Sequence, residues 1–147
     1  MNAPAPTPEA LTPEAMTRLC RGTLPGLFGI AVTALEPGKV TTSLVIRPEF
    51  LAPNGFLHAG TLVTLADTSC GIGTIAALGE SGASFTTVEL KTNFLGTARE
   101  GELVCVATAR HLGRATQIWD AEVSAAATGK RLALFRCTQM ILERAAK

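Results

Sequence analysis

One carboxylate, Asp67, is the only charged residue between Ala59 and Gly79, in the run A-G-T-L-V-T-L-A-D-T-S-C-G-I-G-T-I-A-A-L-G. A carboxylate on an apolar segment costs free energy unless it is paired, hydrogen-bonded or protonated. Such surroundings are those of a catalytic base or a carboxylate nucleophile. His58, Ala59 and Gly60 fall just upstream, at the expected start of the same segment. The first backbone N–H groups of a helix lack acceptors within it and lie at the positive end of its dipole. Ala59 and Gly60 therefore stand where donors to a growing negative charge belong. Plainer readings exist for each group. Asp67 can pair with a buried donor, His58 can cap a backbone carbonyl, and Asn54 beside Gly55 is a strong turn pair.

The elements that must position these groups follow from hydrophobic periodicity. Leu62, Leu65, Ala66, Ser69 and Gly73 recur at i, i+3, i+4 and i+7, predicting a helix that starts near Ala59 and stops at Gly79-Glu80-Ser81-Gly82. Its Gly and Ala content allows close wrapping by a sheet. Gly60, Asp67, Cys70 or Gly71, and Thr74 share one of its faces. Upstream, Ile30, Val32 and Ala34, then Val40, Thr42, Leu44 and Ile46, alternate around a turn at 36–39 and predict a hairpin. Downstream, strands are expected over 85–95, 102–111, 116–126 and 131–142. In the first of these, Val88, Leu90 and Phe94 fall on one side and Glu89, Lys91 and Asn93 on the other. Thr12-Pro13-Glu14 has the pattern of a helix start running to about Arg21, after a Pro-rich arm over residues 1–12. The chain thus divides into an N-terminal arm with a short helix (1–27) and a domain over 28–147. The order ββ, one long helix, ββββ predicts an α+β fold with a hairpin-linked antiparallel sheet around a single central helix.

Composition removes several function classes. At 147 residues the chain is long enough for one domain with a real core. A net charge of +1 gives no electrostatic argument for nucleic acid or an anionic membrane, and one Trp with no Tyr argues against a base-stacking surface. The 59–79 stretch has the length of a membrane span, but its Gly, Thr, Ser and Asp favour burial inside protein. Cys20, Cys70, Cys105 and Cys137 form no metal-ligand spacing and read as core thiols of a reducing compartment. The N-terminus lacks a basic region followed by an apolar one, so the expected location is cytoplasmic. No metal and no cofactor is expected.

Residues 54–67, N-G-F-L-H-A-G-T-L-V-T-L-A-D, resemble the signature of hotdog-fold acyl-CoA thioesterases. The similarity is to the PaaI-like group, which includes one type of 4-hydroxybenzoyl-CoA thioesterase and has the pattern H-G-G-x-x-x-x-L-A-D. It extends from about Phe28 to Leu142 and takes in T-x-x-L-K-x-N-F-L at 87–95. Two departures stand out. The first Gly after the His is Ala59, and the family's amide six or seven residues before the His falls at Ala52 or Leu51, whereas this chain offers Asn54.

The resemblance implies a hotdog fold, an acyl-CoA substrate hydrolysed without metal or cofactor, and a shared-site homodimer that assembles into a homotetramer. It implies Asp67 as base or nucleophile, His58 near the carbonyl, Ala59 and Gly60 as backbone donors, and Asn54 as a candidate orienting amide. Thr87, Thr68 and Gly71 are the candidate substrate contacts. Spacing adds a reason for the dimer. Asp67 lies seven or eight residues beyond the donors, ~10–12 Å along one helix, while reacting groups must approach within about 3–3.5 Å. Donors from a second subunit would close that gap. Two rivals share the fold: a non-catalytic acyl-CoA-binding module, and a 3-hydroxyacyl thioester dehydratase, which the L-A-D helix disfavours.

Overall fold

The computed structural model describes residues 11–143, so the expected arm lies outside the described residues except for Leu11 and Thr12. At its centre a 20-residue helix, α3 (Ala59–Leu78), lies on one face of a six-stranded antiparallel sheet. This is the hotdog arrangement. The helix buries Leu62, Leu65, Ala66, Ser69 and Gly73, the face its periodicity predicts, together with Thr61, Cys70, Gly71, Ile72 and Thr74. It packs against five of the six strands. Small residues make this wrapping possible. A Cβ placed on Gly73 would come within 2.5 Å of the Trp119 ring, so the helix backbone sits directly on the indole. With the turn that follows, α3 has the length and hydropathy of a membrane span, yet its buried face lies on the sheet.

The strands are β1 (Ala31–Glu36), β2 (Lys39–Val45), β3 (Ser84–Phe94), β4 (Glu102–Leu112), β5 (Thr116–Ala125) and β6 (Arg131–Leu142). Their spatial order is β1-β2-β4-β5-β6-β3. Consecutive hairpins account for β1–β2 and for β4–β5–β6. They do not account for β3, which pairs with β6 at the far edge instead of with its sequence neighbour β4. After β2 the chain crosses the sheet through α3, and that crossing delivers β3 to the opposite side. The simple alternation expected for β3 is broken by a bulge between Thr87 and Glu89. Val88, Leu90 and Phe94 are 50%, 42% and 47% exposed, along a strand with one unpaired edge.

Thr12 caps α1 (Pro13–Leu19), its hydroxyl accepting from the Ala15 N–H, and Pro13 occupies the first turn as expected. A second short helix, α2 (Leu24–Leu27), follows, which periodicity over four residues cannot reveal. Met16 and Cys20 join the core formed by Val40, Leu44, Leu103, Cys105, Trp119, Val123 and Phe135. All four cysteines are free and buried.

Candidate active site

The middle of α3 and the bulged strand β3 bring two of the expected site residues together. The Thr87 hydroxyl lies 3.2 Å from Asp67 Oδ1 and 2.8 Å from Oε1 of Gln139. Asp67 is half-buried and forms no ion pair among the described residues. Burial pushes its carboxyl above the usual carboxylate range, and the Thr87 hydrogen bond opposes that shift. The result is a carboxyl of raised proton affinity with one oxygen in contact with the Thr87 hydroxyl.

This burial has a cost that can be measured. The folded carboxyl binds its proton more tightly than the unfolded one. Between the two pKa values the native state therefore holds more protons, and stability falls as pH rises through that window. Above it, ionised Asp67 is a standing penalty. Asp67→Asn should raise Tm at pH 8, and the gain should shrink as pH falls through the window, as read by thermal unfolding.

At the start of α3, His58 is the N-cap and its Nδ1 accepts from the Gly60 N–H at 2.8 Å. A neutral ring that accepts at Nδ1 carries its proton on Nε2, which leaves Nε2–H as its remaining donor. The ring also explains Gly60. A Cβ there would lie 2.9 Å from His58 Nδ1, so the second glycine of the pattern is fixed by contact while the first tolerates Ala59. Of the two expected backbone donors, the Gly60 N–H is thus engaged by His58. The Ala59 N–H, first in the helix and exposed, has no acceptor within it. Thr61 completes the start, its hydroxyl donating to the Phe50 carbonyl and tying the helix to the preceding 3-10 turn.

The remaining candidates are placed as follows. Asn54 sits in an exposed turn before the helix, where its Oδ1 accepts from the Phe56 N–H at 3.1 Å and Gly55 takes a positive φ of 81°. Thr68 is half-buried and turned about 100° around the helix from Asp67. Gly71 is buried against the Phe85 ring, 3.4 Å from where its Cβ would be. The position six residues before His58 is Ala52, which carries no amide. Among the described residues, no cluster of His, Cys, Asp or Glu could hold a metal. A cavity of about 660 Å³ lies on the other face of the sheet, lined by Lys91, Val104, Val106, Arg110, Asp120 and Arg136, and includes none of these candidates.

Gln139, which was not among the expected residues, meets Thr87 from β6. Its sequence signal is the two-residue spacing from Phe135 and Cys137, and the burial of all three puts an amide in the core phase of β6.

The chain matches the thioesterase superfamily over residues 54–131, from the loop before α3 into β6. It is 31% identical over 111 residues to the 1,4-dihydroxy-2-naphthoyl-CoA hydrolase of Listeria monocytogenes, covering 76% of this chain and 89% of that one. An Escherichia coli protein of the same name is 27% identical, covering 77% and 82%. A crystal structure of a mutant thioesterase from Pseudomonas aeruginosa superposes with a TM-score of 0.85 at 28% identity, over 96% of this chain and 99% of that one.

Proposed function

The chain belongs to the thioesterase superfamily and is a thioester hydrolase, and from that premise we propose that it hydrolyses acyl-CoA esters with Asp67 as general base at a site shared by two subunits. Water attacks the thioester carbonyl while Asp67 takes its proton, and the tetrahedral intermediate collapses by expelling the coenzyme A thiolate. The proton on Asp67 is then free to pass to that thiolate. The Ala59 N–H and the His58 Nε2–H donate to the carbonyl oxygen as its charge grows. Coenzyme A is a good leaving group, so no further strong acid is needed. Buried free thiols suit a reducing compartment such as the cytoplasm.

One observation carries the shared site. Asp67 and Ala59 are eight residues apart on a single helix, ~12 Å along its axis, too far to serve one carbonyl carbon. The free edge of β3, with exposed Val88, Leu90 and Phe94, is where a second copy would pair. A panel of benzoyl-, phenylacetyl- and medium-chain acyl-CoA esters, assayed for thiol release, tests the reaction. Release from none of them would sink it. Complementation tests the geometry. Asp67→Asn removes the base, and Ala59→Pro removes the donor at a first helical position that tolerates Pro. Each variant alone should be inactive. An equal mixture, dissociated and reassociated, should recover about a quarter of wild-type activity, because half of the dimers are mixed and each carries one intact site. A site within one subunit would recover none.

A further inference from the structure

We propose that Gln139 is a positioning residue for Asp67, its side-chain carbonyl competing with the carboxylate for the single proton of the Thr87 hydroxyl. The proposal rests on Asp67 being the base. Thr87 and Gln139 are directly opposite in the β3–β6 register, and Gln139 is fully buried. The Thr87 oxygen lies 2.8 Å from Gln139 Oε1 and 3.2 Å from Asp67 Oδ1, so the shorter contact is to the amide. A hydroxyl has one hydrogen to give, and an ionised Asp67 and a Gln139 carbonyl are both acceptors.

The two protonation states of Asp67 are therefore unequal. Protonated, Asp67 donates to Thr87, which donates to Gln139, and every group is satisfied. Ionised, Asp67 and Gln139 contend for one proton. If Thr87 donates to the carboxylate, Gln139 Oε1 faces an oxygen lone pair at 2.8 Å; if it donates to the amide, the carboxylate loses its donor. Both outcomes disfavour the anion, which makes Asp67 a stronger base. The amide is held in the competing orientation because its Nε2 is turned to the Cys137 sulfur, 3.4 Å away.

Within one subunit, no charge among the described residues reinforces or masks this competition. Among the described residues, burial and the Thr87 hydrogen bond act on the Asp67 carboxyl, and its titratable neighbour along α3 is the Cys70 thiol. Contact with Cys137 and burial raise the Cys70 thiol well above its usual range, and burial raises that of Cys105 to about 12, so neither ionises near neutrality. From β5 come neutral groups, Gln117 and the Trp119 indole that donates to it. On the opposite side of α3, about 200° around the helix from Asp67, the Thr42 hydroxyl of β2 is bonded to Ser69. Elsewhere, ion pairing among the described residues is exposed and does not involve Asp67.

The test follows the acidic limb of the kcat–pH profile, with the most active ester of the panel as probe. Gln139→Met and the shorter amide of Gln139→Asn both withdraw the competing carbonyl from Thr87. Each should move the limb to lower pH by about 0.5 unit or more, lower the plateau kcat several-fold, and leave KM within about two-fold. In a Thr87→Val background, Gln139→Met should move the limb no further, a coupling that loss of packing alone would not produce. An unmoved limb in both variants, an equal shift without Thr87, or failure of both variants to fold would overturn the proposal. Asp67→Asn in the same series separates the two failures. If it retains activity, the base assignment is wrong. If it is inactive while the limb stays still, only the role of Gln139 is wrong.

Discussion

Asp67→Asn is expected to lower kcat for thiol release by ~10²–10⁴-fold, the range a positioned general base contributes, while KM stays within a few-fold of wild type. Asparagine has the same shape, and its side-chain carbonyl can still accept from Thr87, so the hydrogen bond at 3.2 Å need not be lost. What disappears is the ability to take a proton from water. The acidic limb of the pH profile should vanish with it, since the titrating group is gone. The same substitution is expected to stabilise the fold at pH 8, because the half-buried charge no longer opposes folding. A variant that is more stable and nearly inactive would show that Asp67 is kept for chemistry. A variant within a few-fold of wild-type kcat would move the base to another residue.

Gly73→Val should be strongly destabilising. A Cβ at this position would lie 2.5, 2.6 and 3.0 Å from three atoms of the Trp119 ring, and that ring is fully buried. Neither partner can yield easily. The indole is locked by its Nε1–H donating to Gln117 at 3.0 Å, and α3 is held against β2, β4, β5 and β6. Overpacking a close-packed core costs ~1–3 kcal/mol or more, and the modest helix-propensity gain over Gly does not offset it. A fall in Tm of roughly 5–10 °C is expected by calorimetry for a chain of this size. Trp119→Phe should relieve part of this loss, giving a double variant less destabilised than the sum of the two single ones. Strict additivity would mean that the ring is not what resists the new side chain.

Much of this architecture is legible in local pattern, and what escapes it depends on contacts distant in sequence. The periodicity of Leu62, Leu65, Ala66 and Ser69, with Gly79 after it, bounds α3 because each signal acts within a few residues. The His58 cap, which accepts from the Gly60 N–H rather than capping a carbonyl, emerges only from the structure. The limits of β6 are equally local. The place of β3 is not, since pairing with β6 rather than β4 is settled by how α3 crosses the sheet. Part of the site behaves the same way. Asp67 stands out by its isolation, and the family pattern leads to His58 and Gly60. The capture of the Gly60 N–H by the His58 ring is a matter of rotamer and contact distance. Asn54 accepts from Phe56 within its turn, the role its neighbour Gly55 suggests. Gln139 meets Thr87 only because a register between strands 52 positions apart puts them opposite each other.

The displaced position of β3 also orders events during folding. The meander β4–β5–β6 closes through short turns, whereas β3 joins the sheet through pairs such as Ser84 with Leu142 and Phe94 with Ala133. Loop-closure entropy makes such distant pairings late. In chain order β3 precedes the strand it must pair with by two further strands, β4 and β5. The hydroxyl that holds the Asp67 carboxyl reaches its place only when β6 is there to receive β3. The contact between Thr87 and Asp67 is therefore expected to form with the pairing of β3 and β6, and a chain truncated before β6 is expected to lack it.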